Sequence, residues 1–203
     1  MILNFKELCS KYNCIIKGVL HIGAHFGEEH NLYKENNISN IIYFEPVKST
    51  FEVLKNRVGA DAILVNKAIG NDNKRVIINT DTNEKGSSSI LNPKLHLEQY
   101  PWIHFNSKEE VEMIRLDDFD FDKTKYNLIN IDIQGYELEA FRGAENTLSN
   151  IDYIISEVNR AEVYENCPHI MEICKFLDKF NFKLKEVNWA GETWGDAFFI
   201  KHE

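Results

Sequence analysis

No run of apolar residues in this chain exceeds four, the longest being Ile41–Phe44, Ala62–Val65 and Ala197–Ile200. A membrane-crossing helix requires roughly 20, so no span is expected. The opening residues, Met1-Ile-Leu-Asn-Phe-Lys-Glu7, lack the apolar centre of a signal peptide and bring in a carboxylate early, so the expected location is cytoplasmic. Cysteine is scarce. Cys9, Cys14, Cys167 and Cys174 fall in two distant pairs whose spacings match no zinc knuckle, and they read as free, packed thiols. Basic residues are the minority, 23 against 32 acidic, for a net charge of −9. A phosphate backbone wants a basic stripe, so no nucleic-acid partner is expected. Repeats, low-complexity tracts and interdomain linkers are also missing, which makes residues 1–203 one domain. A chain of this size buries about 70% of its unfolded surface and needs no metal or disulfide staple.

What is present is an alternation of short apolar runs with helical patterns, the order of βαβ units around a mainly parallel sheet. The strands expected are Gly18–Ile22, Ile41–Glu45, Ala62–Val65, Asn127–Ile131, Asp152–Val158, Lys183–Val187 and Asp196–Ile200. The helices expected are Leu3–Tyr12, Glu28–Asn36, Val47–Val58, Glu137–Leu148 and Pro168–Phe180. The last two strands are joined by a short loop and must be antiparallel, because a parallel join needs a crossover of a dozen residues or more. Residues 71–122 break the rhythm and read as an insertion. There Arg75–Asn79 and Ser87–Leu91 suggest a β-hairpin across Asp81–Gly86, followed by a loop or short helix at Asn92–Trp102 and a strand-like Val111–Leu116.

The first strand runs into His21-Ile-Gly-Ala-His-Phe-Gly27, a glycine loop at the sheet edge where doubly wound folds bind ligands. Glu45 ends the next strand 18 residues after Gly27, the distance at which a carboxylate grips ribose hydroxyls. The loop has Gly23-x-x-x-Gly27 instead of the dinucleotide Gly-x-Gly-x-x-Gly. Glu28 and Glu29 follow it and would repel a pyrophosphate. They would tolerate S-adenosylmethionine, which carries an ammonium and a sulfonium and no phosphate. A tight turn before an ordinarily charged helix start would leave the same trace.

The segments His21–Gly27, Tyr43-Phe-Glu-Pro46, Asn66-Lys-Ala-Ile-Gly70, Ile114-Arg-Leu-Asp117, Asn130-Ile-Asp-Ile-Gln-Gly-Tyr-Glu137 and Arg142-Gly-Ala144 occur in that order. Together with Ile155-Ser-Glu157 and Asp196-Ala-Phe-Phe199 they resemble the FkbM-type S-adenosylmethionine-dependent methyltransferases, from about Gly18 to the end. The resemblance implies an α/β, Rossmann-like seven-stranded sheet of the class I methyltransferase type and methyl transfer, usually to oxygen. It also implies that Gly23, Ala24 and Gly27 approach the methionine part, Glu45 and the adjoining Pro46 the ribose end, and Ala68 and Ile69 the adenine. His21 stands where many members have Asp, and His25 where many have Asn. The acceptor expected from the family is a saccharide, a nucleotide-sugar or another glycan.

Methyl transfer to an alcohol needs alignment and a base. Asp132 and Glu157 end two neighbouring strands and would face the crevice; Asp132 lies in the most specific motif, although an Asp before Gly135 can also cap a helix. His25 is a third candidate, as base or as a cofactor contact beside His21 and Glu28. Asp132 and Glu157 could hold Mg²⁺, but hard-cation sites gather more acids, and no metal is expected. Ser88, within Gly86-Ser-Ser-Ser-Ile90, could bind the cofactor carboxylate or an acceptor, or simply belong to a polar turn. Two other readings remain open: an NAD(P)-dependent oxidoreductase on a similar sheet, and a cofactor-binding protein without catalysis.

Overall fold

The computed structural model describes residues 1–82 and 86–202. Helix α1 (Phe5–Tyr12) starts where the Asn4 side chain accepts the Glu7 N–H, and ends on Asn13 in the left-handed region (φ 51°). Phe5 and Leu8 face inward, together with Leu3. The chain then alternates through β1 (Gly18–Ile22), α2 (His30–Glu35), β2 (Asn40–Phe44), α3 (Lys48–Val58) and β3 (Ile63–Val65). After the insertion come β7 (Leu128–Ile131), α5 (Glu137–Arg142), β8 (Tyr153–Asn159), α6 (Ile170–Asp178), β9 (Phe182–Ala190) and β10 (Trp194–Lys201).

The strand order is β3-β2-β1-β7-β8-β10-β9. Pairings from β3 through β8 are parallel, and β10 runs antiparallel to both its neighbours, as the short final loop required. Every residue of β1 and β7 is buried, because helices cover both faces of a parallel sheet. Successive residues therefore feed opposite layers. Leu20 and Ile22 pack with Ile129, Ile131 and Phe141, while Val19 and Leu128 pack with Phe5, Tyr33 and Leu54. Strand order reverses between β1 and β7, and the crevice that opens there is where this class of sheet binds ligands.

The helix expected over Glu137–Leu148 stops at Arg142, with a separate 3₁₀ turn at Thr147–Asn150, and two further expectations are corrected. The insertion forms a three-stranded sheet, β4-β6-β5, from β4 (Ala68–Ile69), β5 (Lys74–Thr80) and β6 (Ser107–Ile114), with a short α4 (Leu95–Gln99) between the last two. The antiparallel partner of β5 is thus β6, and Ser87–Leu91 meets β5 at Asn79, through the Asn79–Ser89 bridge and the Asn79 side chain, which donates to the Leu91 carbonyl at 3.0 Å. Val111 and Met113 alternate with Glu110 and Glu112, which lets one face of β6 close on Ile78, Ala68 and Val47. Ser87–Leu91 has no such alternation. The turn expected at Asp81–Gly86 includes Asn83–Lys85, which lie outside the described residues. The second correction concerns α2, which begins at His30, not Glu28; Glu28 and Glu29 sit in the turn before it, and no acid lies in its first turn.

The insertion is locked to the main sheet at one close approach. A Cβ on Gly143, just after α5, would lie 1.8 Å from the Gly70 carbonyl oxygen, so only glycine allows the two backbones to meet. Asp117 secures the same junction by accepting the N–H groups of Asn146 and Thr147 at 2.9 and 2.8 Å. The four cysteines are free thiols. Among the described residues, no helix is long and apolar enough to cross a membrane.

Candidate active site

A cavity of about 400 Å³ opens at the carboxyl edge of the sheet around the β1–β7 switch point, within the range of small-molecule and cofactor sites. Its base is the glycine turn. Gly23 has φ 79°, and a Cβ there would lie 1.8 Å from the Asp132 carbonyl oxygen, so the loops after β1 and β7 touch. The N–H groups of Gly23 and Ala24 both reach back to the Phe44 carbonyl, at 2.9 and 3.0 Å. His25 follows with φ 47°. Asn, Asp and His adopt that left-handed backbone more readily than other non-glycine residues.

The strain at His25 serves a contact. Its N–H donates to Glu45 Oε2 at 3.0 Å, while Val47 N–H donates to Oε1 at 2.8 Å. Glu45 is 5% exposed, and burial pushes its carboxyl up to about 7. The His25 ring bonds Glu28 Oε1 at 2.8 Å and lies on Phe26 with centroids 3.9 Å apart. Gly86 of the insertion faces its Nε2 edge, where an added Cβ would lie at 3.9 Å.

Below the cavity, His21 is 3% exposed, and burial lowers its pKa, so the ring is neutral. Asn130 donates to the Tyr33 hydroxyl at 2.7 Å, and that hydroxyl lies 3.2 Å from His21 Nδ1. An uncharged relay therefore stands where the resembled family often carries an Asp.

Beyond β7 lie the acids. Glu137 accepts the N–H groups of Ile133 and Gly135 at 2.9 and 3.1 Å, taking the loop-capping task considered for Asp132. Burial raises its pKa, and its second oxygen has no hydrogen-bond partner. Gln134 reaches Asp132 Oδ1 at 2.8 Å and Glu157 Oε2 at 2.6 Å. Burial and the neighbouring Asp132 hold Glu157 well above the usual carboxylate range. Oxygens of Asp132, Glu137 and Glu157 lie within 4.8 Å of one another.

The structure brings His21, Gly23, Ala24, His25, Glu28, Glu45, Pro46, Ala68, Ile69, Ser88 and Asp132 together around this cavity. Gly27 and Glu157 do not line it. Gly27 instead lets α3 pack closely, since a Cβ there would lie 2.6 Å from Leu54 Cδ1. Glu157 sits behind Gln134 rather than facing the crevice. Glu29, weighed with Glu28 for its charge, lines the cavity too, and sequence reasoning passed over Gln134, Lys67 and Asp196 as site residues, all of which line it. Gln134 stood inside the most specific motif and Asp196 in the terminal match, so the signal existed for those two. Among the aromatic loops, Trp194 Nε1 donates to the Tyr100 hydroxyl at 2.8 Å, and the Arg160 guanidinium lies 3.7 Å above the Trp189 ring.

Comparison with known proteins bears on the family and the fold. The family model described as methyltransferase FkbM domain matches residues 21–184. The 2-O-methyltransferase NoeI of Sinorhizobium fredii (strain NBRC 101917 / NGR234) is 34% identical over 96 residues, 46% of this chain and 40% of that protein. The match thus spans less than half of that relative's length. Among solved structures, the 1,6-didemethyltoxoflavin-N1-methyltransferase of Burkholderia thailandensis, with bound S-adenosylhomocysteine, has a TM-score of 0.52 at 11% identity, covering 98% of this chain and 76% of the other. Sp1610 of Streptococcus pneumoniae, to which a tRNA (m1A22) methyltransferase activity is ascribed, has a TM-score of 0.54 at 14% identity, covering 99% and 71%. At such identities these structures bear on the fold alone. The exclusion of nucleic acid drawn from net charge finds no support among them.

Proposed function

The chain belongs to the methyltransferase FkbM domain family, and we propose that it is a single-domain enzyme, with residues 71–122 as an insertion, that methylates a hydroxyl oxygen of a saccharide or nucleotide-sugar acceptor. The observation that carries this reading is the charge of the cavity wall. Glu28, Glu29, Glu45, Asp132 and Asp196 line it against two cationic groups, Lys67, paired with Glu112 at 2.6 Å, and the Met1 ammonium, paired with Glu29 at 3.0 Å, which leaves acids in excess. Such a wall suits a ligand that carries positive charge and no phosphate. It disfavours the oxidoreductase alternative, because a pyrophosphate would face carboxylates where it needs donors.

The residues fit S-adenosyl-L-methionine, the cofactor of this family. When bound, it supplies a methyl group activated on a sulfonium. Glu45 has both oxygens fixed by backbone N–H groups and keeps lone pairs for the ribose hydroxyls. Pro46, Ala68 and Ile69 offer an apolar wall for a base. The acids around the glycine turn balance the cationic methionine end, a task that the neutral His21 leaves to them. Asp132 is the candidate base: it faces the cavity and accepts a proton as the acceptor oxygen attacks. His25, oriented by Glu28, is the second candidate. The partial likeness to a 2-O-methyltransferase supports oxygen as the target.

Calorimetric titration with S-adenosylmethionine, S-adenosylhomocysteine and NADH, with and without Mg²⁺, tests the reading. Binding of the first two, weakened in Glu45→Ala, supports it and justifies a screen of saccharide acceptors for turnover to S-adenosylhomocysteine. Binding of NADH alone overturns it. Tight binding without turnover on any acceptor favours a non-catalytic protein.

A further inference from the structure

Gln134 is the residue of the acidic loop to which methyl transfer assigns no task. Its backbone is left-handed, with φ 56°, an arrangement that persists where the surroundings enforce it. The surroundings do so twice. Its carbonyl oxygen accepts the Ser89 hydroxyl at 2.7 Å, and Glu137 holds the N–H groups on either side of it, those of Ile133 and Gly135. The side chain is equally directed. Nε2 stands 2.8 Å from Asp132 Oδ1 and 2.6 Å from Glu157 Oε2, while Oε1 takes the Tyr164 hydroxyl at 2.7 Å. Turning the amide over would set its oxygen against both acids.

A primary amide nitrogen has two hydrogens, and here each meets one carboxyl group. Neighbouring carboxylates are held together by a shared proton, a cation, or a donor that reaches both. We propose that Gln134 is the positioning residue of this site: its amide nitrogen takes the place between Asp132 and Glu157 that a divalent cation takes between paired carboxylates, and so presents Asp132 to the cavity. The proposal rests on reading Asp132 as the base of the methyl transfer. An amide brings two hydrogen bonds but no formal charge, so the pair needs a proton as well. Glu157, fully behind Gln134 and buried, is the group that keeps it. Glutamate at position 134 would add a fourth carboxylate to Asp132, Glu137 and Glu157, whose oxygens already lie within 4.8 Å of one another. That set is an oxygen cage for a hard cation.

Mn²⁺ alone is the probe. Wild type, Gln134→Glu, Glu157→Gln and the double variant Gln134→Glu/Glu157→Gln are titrated with MnCl₂ at pH 8 by calorimetry and by the electron paramagnetic resonance of free Mn²⁺. Circular dichroism checks that each is folded, and S-adenosylhomocysteine is titrated into the wild type in parallel. Gln134→Glu should bind one ion at least about tenfold more tightly than wild type, and the second substitution should remove the gain. A Gln134→Glu protein with wild-type Mn²⁺ affinity overturns the amide bridge, and so does a wild type that takes one equivalent of Mn²⁺ lost in Glu157→Gln. If Gln134→Glu does not fold, Gln134→Leu removes the donor without adding charge. Its ¹³C-carboxyl resonances should then show the first ionisation of the Asp132–Glu157 pair raised by about one pH unit or more; an unmoved midpoint overturns the proposal. Failure of S-adenosylhomocysteine to bind wild type would sink the methyl-donor reading and leave the Mn²⁺ result to stand separately.

Discussion

Replacing Glu45 by glutamine should flatten the pH dependence of folding stability between pH 5 and pH 8. The unfolded chain releases this proton near 4.5 and the folded protein near 7, because burial penalises the charged form. Between those values the native state binds more protons, so the stability present below pH 4.5 is lost as pH rises through 7. At about 1.4 kcal/mol per pH unit the loss amounts to about 3 kcal/mol. Glutamine does not titrate, but its NH₂ must face one of the two backbone donors, His25 N–H or Val47 N–H, which now bond the carboxylate. Leaving that donor unsatisfied costs roughly 1–2 kcal/mol at every pH. Wild type should therefore be the more stable protein at pH 5, and the difference should close or reverse by pH 8. Glu137, Glu157 and Asp196 are also raised by burial, yet they are common to both proteins and drop out of the comparison. Urea unfolding at pH 5, 6, 7 and 8 at fixed ionic strength gives the two curves. A wild-type-minus-variant difference that stays constant within about 1 kcal/mol, or moves toward wild type as pH rises, would refute the reasoning.

The affinity of wild type for S-adenosylhomocysteine should rise between pH 6 and pH 8, by up to about tenfold per unit below 7, because the ribose selects ionised Glu45; calorimetry reads it directly. Asp132→Asn should lower turnover on a validated acceptor by roughly 10²–10⁴-fold while S-adenosylhomocysteine still binds, and equal losses in both would mark Asp132 as structural instead. Gly23→Ala puts a methyl group 1.8 Å from the Asp132 carbonyl oxygen at φ 79°, and should cost about 3 kcal/mol in urea and abolish S-adenosylhomocysteine binding. Phe141→Ala empties a site that is 1% exposed between α5 and the sheet, and a loss of about 3–5 kcal/mol should appear as a lower thermal midpoint with the pocket chemistry unaltered.

The sheet was legible because its strands are apolar on both faces and short: Gly18–Ile22 was read to the residue, and the antiparallel end followed from loop length. The strand pairing inside 71–122 was not legible. β5 and β6 are separated by 26 residues, and the alternation of Val111 and Met113 with Glu110 and Glu112 marks a strand without marking its partner. At the site, the glycine turn and Glu45 carry local signatures. Asp132 was legible as a strand end, just after β7, but Glu157 lies inside β8, which runs on to Asn159, and its place behind Gln134 follows from a left-handed backbone that Ser89 and Glu137 hold. Glutamine between two acids looks like any polar loop residue until its neighbours are in position.

The cavity is closed by residues from opposite extremes of the chain. The Asp196 carboxylate accepts the N–H groups of Ile2 and Leu3 at 2.5 and 3.4 Å, a separation of 194 residues for the first, and β1 lies beside β7 with Val19 opposite Leu128. Contacts so distant along the chain must wait for the loops between them to close, which slows folding. A chain that has paired only β1, β2 and β3 already holds Glu45 and the glycine turn, but it has no Asp132 wall. Ligand affinity in this protein is therefore a gauge of folding completeness: it should appear in the slowest kinetic phase, after the helical signal has already been recovered.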